Sequence, residues 1–345
     1  MTPKHNTDHL GSGHGFLQDL SGFKPSMNTV WISVVNILLI IVFWHFSRNG
    51  AFLSTTNIES ILITLAQVIL LCVAQTVLLS SAQIDISQGG NVILSSVVSG
   101  QILVSFANQG TLSVPAALLI LFLTATLAGA LFGLVTGVLV GKFGINSLIV
   151  TLGMLGIGTG LANVLTDGAN LIGVPYSIQT SFGIARIGAI PMPFILTACI
   201  VGVVWFLFAK TKFGVHSLAI GSSKNAAQRN GINIVRHTII CYCVTGAMCG
   251  VAGAMDIARF ATTDIGGHQN DALAAIAGAV IGGTSLFGGK VSLFGAILGA
   301  LLAVLLQSGL VILNFPPFYQ TIAIGFVLIV AAGIDQLRSD KRHAK

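Results

Sequence analysis

The sequence predicts an all-α, polytopic membrane protein of about ten transmembrane helices. Three observations carry that prediction. Of 345 residues, 54% are hydrophobic and only 8% are Asp, Glu, Lys or Arg, where a soluble domain holds about a quarter charged residues. The mean hydropathy is +0.92. The apolar residues run in long stretches instead of alternating, which disfavours a membrane β-barrel and leaves helices, which satisfy their own backbone in lipid. Disorder is excluded, because disordered chains are charged and poor in apolar residues. Five cysteines in a chain of this length do not make a secreted disulfide scaffold.

A bilayer core takes roughly 20 apolar residues as a helix. Ten segments fit or come close: residues 30–46, 58–80, 92–107, 114–140, 147–165, 190–209, 238–257, 272–287, 291–313 and 318–334. The third and eighth are short and rich in Gly, Ser or Ala. That composition suits a broken or re-entrant helix, tolerated at membrane depth only where protein or a cavity surrounds it. Residues 1–28 read as a polar N-terminal tail, 29–336 as one membrane domain and 337–345 as a C-terminal tail. The tail histidines His5, His9 and His14 read as part of a flexible terminus and not as metal ligands. No A-x-A-like cleavage site follows the first apolar run, which ends His45-Phe46-Ser47-Arg48, so a signal peptide is not expected.

Orientation follows from the basic residues. With ten spans and the N-terminus inside, Lys4, Lys24, Lys142, Lys210, Lys212, Lys224, Arg229, Arg236, Lys290, Arg338, Lys341, Arg342 and Lys345 are cytoplasmic. Only Arg48, Arg186 and Arg259 fall outside. The positive-inside rule therefore places both termini in the cytoplasm. The net charge of +6 reflects this bias, and no nucleic-acid role is expected.

Several chemistries have no motif. The nearest approach to a Walker A sequence is Gly282-Gly283-Thr284-Ser285-Leu286-Phe287-Gly288-Gly289-Lys290-Val291. Its first required glycine falls on Thr284, and Val291 stands where a Mg²⁺-binding hydroxyl belongs. Neither H-E-x-x-H nor G-x-S-x-G occurs, so an enzyme is not expected. Cys72, Cys199, Cys241, Cys243 and Cys249 all lie in predicted spans and read as small packing residues.

The chain has 41 glycines. Gly129, Gly133, Gly137 and Gly141 recur every four residues, and Gly246–Gly250 and Gly295–Gly299 repeat the spacing. Such stripes let membrane helices approach closely. Static packing and helix sliding both fit them. A weak internal echo relates Gly89-Gly90-Asn91-Val92 to Gly288-Gly289-Lys290-Val291, and many transporters are built from repeats.

Acids inside a membrane protein are functional suspects. Asp85 lies in the polar break Ala82-Gln83-Ile84-Asp85-Ile86-Ser87-Gln88-Gly89-Gly90-Asn91. It suits a helix cap or a direct role with substrate or protons. Asp256 and Arg259 stand three apart on a predicted span and are placed to pair. Asp167, Asp264 and Asp271 fall in outer loops. The segment 273–298 is crowded with small residues around Thr284 and Ser285. A discontinuous helix or a plain re-entrant turn would account for it.

The longest inner loop covers 210–237. Ser222 or Ser223 can cap a short helix, Ala226 to Arg229 can form it, and Gly231 can end it. A short helix at the cytoplasmic face suits the grip of a motor subunit. An ordinary basic loop is the plainer reading.

From here the sequence resembles the permease subunits of ribose-type bacterial ABC sugar importers, over roughly residues 56–337. Their loop pattern A-I-G-G-N-x-x-A-A-x-x-x-G-I-N is met by Ala219, Ile220, Gly221, Ala226, Ala227, Gly231, Ile232 and Asn233, while Ser222 and Ser223 depart. The pattern G-G-I-D-L-S-V-G-S is met by Ile84, Asp85, Ser87 and Gly89, with Gln83, Ile86, Gln88 and Gly90 departing. Ile149 to Met154, Leu165 to Gly168, Arg259 and Val280 to Gly289 match further blocks. Ala272-Leu273-Ala274 replaces the usual Glu-Leu-Asp, which points to an atypical substrate or partner.

The resemblance implies the type II ABC importer permease fold in a bacterial plasma (inner) membrane. It implies a sugar or related polyol as substrate, delivered by a periplasmic or extracellular binding protein. It also implies a second permease copy, identical or different, and a cytoplasmic ABC ATPase that carries ATP and Mg and leaves this chain without a cofactor. Ala219, Gly221, Ala226, Ala227, Gly231, Ile232 and Asn233 are then the ATPase-coupling positions. Asp85, Ser87, Asn91, Thr151, Arg259, Thr284 and Ser285 are candidates to line the pathway. An ion-coupled secondary transporter or channel is the alternative. It calls for mid-span acids or histidines, of which the sequence offers few.

Overall fold

The computed structural model describes residues 27–333 apart from 111, 317, 320, 324, 327, 328 and 330–332. Residues 1–26, with His5, His9 and His14, and the C-terminal tail lie outside the described residues, as do eight of the 17 positions of the tenth expected span. Helix α1 (Met27–Phe46) is joined by a 3₁₀ turn, Arg48–Leu53, to α2 (Thr55–Ser80). Next come α3 (Gln88–Asn108), α4 (Val114–Gly141) and α5 (Ser147–Thr166). A π turn at Gln179–Gly183 and a two-stranded ribbon pairing Arg186 with Pro191 lead to α6 (Met192–Lys210). Two short helices, α7 (Lys212–Ser222) and α8 (Lys224–Arg229), precede α9 (Ile234–Phe260). Helix α10 (Asp271–Ile281) and α11 (Leu293–Ile312) follow.

Eight described helices, α1 to α6, α9 and α11, are long and apolar enough to cross a membrane. Two expectations change. The eighth expected span is an 11-residue helix, α10. It stops because Gly282 and Gly283 open a turn that continues to Ser292, with Gly283, Gly288 and Gly289 at positive φ. The third is neither broken nor re-entrant: α3 is continuous for 21 residues, and the interruption lies before it, at 81–87.

The packing explains the glycines. On α4, a β-carbon at Gly129, Gly133 or Gly137 would run into the α9 backbone at Gly246, Tyr242 and Ile239. On α11, Gly295 and Gly299 meet Gly282 and Gly278 in the same way. These stripes are close backbone contacts, the geometry lipid favours because it gives apolar side chains little reason to associate. Helix α2 is the central element. All its residues from Ile69 to Ser80 are buried, and it packs against α6, α9, α10 and α11. By contrast, Leu119, Leu123, Leu127 and Leu131 form an exposed stripe on α4, suited to lipid tails.

Lys142, Lys210, Lys212, Lys224, Arg229 and Arg236 gather at the connections α4–α5 and α6–α9. Lys290 joins them, since Gly289 packs against Ser222. This is the basic end of the molecule. Arg48 and Arg186 lie on the α1–α2 and α5–α6 connections at the opposite end, where Arg186 pairs with Glu59.

Candidate functional site

Two interrupted segments meet inside the bundle. The first is the break before α3. Ala82, at φ +57°, turns the chain away from α2, and the Tyr242 hydroxyl donates to the Ile84 carbonyl at 3.1 Å, fixing the break to α9. Asp85 accepts from the Ser87 backbone N–H at 2.7 Å and from the Ser87 hydroxyl at 2.5 Å. Both residues are buried. Their mutual bonds form a turn just before α3; Asp85 does not cap the helix, whose N-cap position is Ser87 with no side-chain cap bond. Ala82 and Gln83 also line a cavity of about 430 Å³ at the basic end, with Gly144, Asn146, Lys224 and Thr238.

The second is the loop between α9 and α10. The first turn of α3 lies against it: a β-carbon at Gly89 would overlap the His268 carbonyl. His268 sits at φ +60°, a conformation that histidine adopts more readily than most residues. Its Nδ1 lies 2.7 Å from Asp271 Oδ2 and its Nε2 lies 3.3 Å from Asp256 Oδ2. The second contact is too poorly aligned for a hydrogen bond. Burial alone would lower the His268 pKa, but the two carboxylates outweigh it and raise it to about 10. The imidazolium is therefore the stable form.

This arrangement corrects the expected Asp256–Arg259 pair. Asp256 faces His268, while Arg259 Nη1 donates to Thr64 Oγ1 at 2.9 Å and the guanidinium carbon, Cζ, lies 4.9 Å from the centre of the Phe260 ring. The scarcity of acids in mid-span also needs qualification, because Asp256 is a buried carboxylate on α9. No periodic signal marks His268 in Gly266-Gly267-His268-Gln269-Asn270-Asp271. Only the fold brings it between two acids.

Asn91 joins three helices. Its Nδ2 donates to Gly129 O at 3.3 Å and Gly246 O at 3.4 Å, and its Oδ1 accepts from Ser95 Oγ at 2.9 Å. The remaining pathway candidates have intrachain partners too. Thr151 Oγ1 donates to Ser147 O on its own helix at 2.8 Å. Thr284 Oγ1 accepts from Ser292 N–H at 3.2 Å, and Ser285 Oγ accepts from Phe287 N–H at 3.2 Å. The last two shape the α10–α11 turn.

At the basic end, Ser223 Oγ caps α8 by accepting from Ala226 N–H at 3.3 Å. The helix ends in a Schellman motif: Ile232 N–H donates to Ala227 O at 3.1 Å, Gly231 N–H to Gln228 O at 3.0 Å, and Gly231 takes φ +78°. Asn233 then caps α9 through Arg236 N–H at 2.9 Å. Lys224, Asn225, Ala226, Gln228, Arg229 and Gly231 are exposed, and Ala227 turns inward. Helix α7 was not anticipated, and it supplies the joint. Ala219 is half-buried on it, and a β-carbon at Gly221 would collide with the Ser80 carbonyl and with Gly289 N. The Ser217 hydroxyl is 2.8 Å from His237 Nε2 on α9.

The basic end thus presents an exposed, doubly capped helix on a buried joint, beside a bundle with two interrupted segments. Residues 57–332 match the family model described as branched-chain amino acid transport system / permease component. The chain belongs to this permease family. Its curated relatives include the D-allose transport system permease protein of Escherichia coli K12, 30% identical with 84% of this chain and 86% of that one aligned. The fructose import permease protein of Rhizobium meliloti is 32% identical, covering 93% and 88%. The ribose import permease protein of Escherichia coli K12 is 31% identical, covering 73% and 77%. No solved structure matches. The permease is thus a multi-pass, all-α membrane protein in which α8 is the most exposed ordered element of the basic end.

Proposed function

We propose that this permease forms the translocation pathway of an ATP-driven importer for a sugar or related polyol in a bacterial plasma membrane. The observation that carries the reading is α8. It is a six-residue helix capped at both ends, exposed along most of its length and anchored through Ala227 and the Gly221 joint. Rigid display of so short a helix suits a partner that pushes on it. Ala219, Gly221, Ala226, Ala227, Gly231, Ile232 and Asn233 are the coupling positions in this reading. Ala226 makes contact, while the others set the geometry of the display. The basic end is cytoplasmic, and the partner ATPase carries ATP and Mg there.

A binding protein delivers the sugar at the opposite end, near Arg259 and Arg186. A second permease copy, the same or different, completes the pathway. The similarity to allose, fructose and ribose permeases supports the substrate class. Of the pathway candidates, Arg259 is the best placed, half-buried and bonded to a single hydroxyl. Asp85, Ser87, Asn91, Thr151, Thr284 and Ser285 shape the walls behind it.

The test is copurification with the ATPase, followed by uptake in proteoliposomes that also hold the binding protein. ATP-dependent uptake of labelled allose, ribose or fructose is expected. Uptake that persists without any ATPase would overturn the reading in favour of an ion-coupled carrier.

A further inference from the structure

The cavity at the basic end, about 430 Å³, falls in the size range of small-molecule sites, roughly 300–1,000 Å³. Separate parts of the chain wall it. Gln83 comes from the break before α3, Asn146 and Ser147 from the start of α5, Lys224 from α8, and Ile234 and Thr238 from α9. Among the described residues that line it, none is acidic and none is aromatic. Asp85, the acid of the same break, is not in the wall and is occupied by Ser87.

Two of the lining side chains have polar groups without a partner. Gln83 is 6% exposed and Thr238 is 2% exposed, yet neither side chain has a hydrogen-bond partner among the described residues. Buried polar groups are almost always bonded, and these two border an open space instead of a packed wall. The charge around that space is one-sided. Lys224 is exposed, and among the described residues no carboxylate pairs with it. Ser147 and Ile234 are the first residues of α5 and α9. The N–H groups of a first turn lack partners within their own helix and give that end a partial positive charge. Two such ends and an ammonium around one cavity suit an anion.

The neutral groups narrow the kind of anion. The Gln83 amide and the Ser147 and Thr238 hydroxyls both donate and accept, so they suit hydroxyl groups beside the charge. With no aromatic ring in the wall, nothing is present to stack a base, which speaks against a nucleotide. We infer that this cavity binds a small phosphate ester that carries hydroxyl groups. Lys224 and the N-termini of α5 and α9 hold the phosphate, and Gln83 and Thr238 take the hydroxyls. The site goes beyond the import reading and does not depend on which solute is carried. Because Lys224 belongs to α8, an occupant ties that helix to the bundle. With the basic end in the cytoplasm, the same chemistry has two sources: a soluble sugar phosphate, or the headgroup of phosphatidylglycerol in the inner leaflet. Exposed Phe143 and Ile149 flank the lining residues of the α4–α5 connection and bring lipid close.

The test uses the full-length permease in phosphatidylcholine nanodiscs, with labelled D-ribose 5-phosphate and D-ribose as probes. Saturable binding of the ester and none of the sugar is expected. Lys224→Gln should weaken binding about tenfold, through loss of a charge-assisted contact. Thr238→Val should weaken it about fivefold and leave the melting temperature unchanged or higher, since that hydroxyl has no protein partner to lose. Amide exchange at 224–231 should slow when the ester is bound. A second set of discs mixes phosphatidylglycerol with phosphatidylcholine and is read by native mass spectrometry. Retention of phosphatidylglycerol by the wild type and not by Lys224→Gln identifies the headgroup as the occupant; equal ester binding in both kinds of disc identifies the soluble source. The proposal is overturned when neither the ester nor phosphatidylglycerol is retained above D-ribose and phosphatidylcholine, or when both variants retain them like the wild type. Should Lys224→Gln fail to fold, Thr238→Val decides alone.

Discussion

Gly129 and Gly246 face each other across the α4–α9 contact so closely that a β-carbon on either would collide with the other's carbonyl oxygen. Asn91 donates to both of those oxygens. A backbone-to-backbone contact between two helices is thus fastened by a side chain from a third.

Gly246→Ala is expected to destabilise the protein by about 1–3 kcal/mol, the usual range for overpacking. Gly202→Ala on α6 is the control, because nothing lies within 4 Å of a β-carbon there. Alanine should leave stability unchanged or raise it by up to about 1 kcal/mol, since it is the better helix former. Thermal unfolding of the detergent-solubilised permease measures both.

Asn91→Ala should cost about 2 kcal/mol, through lost hydrogen bonds in a buried site. The loss belongs to the α3–α4–α9 junction. Hydrogen exchange is therefore expected to speed up first on those three helices, while α1 and α11 keep their protection.

His268 supplies a pH dependence with a definite sign. Its folded pKa of about 10 lies above the ordinary 6.5 because Asp256 and Asp271 outweigh the effect of burial. The stabilisation is fully present below about pH 6.5 and fades as pH rises toward 10. His268→Gln should remove that slope. Melting temperatures between pH 6 and 10 are expected to converge for the two proteins at the alkaline end, and parallel curves would refute the assignment.

Helix α8 offers a separation of roles under the proposed coupling function. At Gly231 a β-carbon meets nothing, so Gly231→Val acts through its φ of +78°, which a β-branched residue adopts only at a cost of about 1–2 kcal/mol. It should fray α8, leave the melting temperature of the bundle nearly unchanged and abolish substrate-stimulated ATP hydrolysis. Gly221→Ala, which drives a methyl into the Ser80 carbonyl, should lower stability and coupling together.

Much of this molecule was legible before its fold was known. Ser223 and Gly231 are read correctly as helix punctuation because caps depend on residues within a few positions of one another, whereas the cap that Asn233 gives α9 came only with the structure. The glycine ladders were visible for the same reason. The internal echo at Gly89-Gly90 and Gly288-Gly289 does not extend to local structure. The first pair begins a helix, whereas the second occupies a turn with φ of +86° and +71°. The ion pair expected for Asp256 went to the wrong partner, since spacing on one helix cannot weigh a residue from a loop.

By itself, then, the sequence determined the class of the protein, the positions of most spans, the basic end and the helix that punctuates the loop there. Those properties follow from hydropathy, charge and short-range backbone chemistry, which act along the chain. The tertiary structure alone decided that α10 is too short to span, that His268 lies between Asp256 and Asp271, and that Gln88 reaches the Leu71 carbonyl on another helix. Each depends on segments far apart in sequence being pressed together, and glycine stripes that let backbones touch are the physical reason they can be.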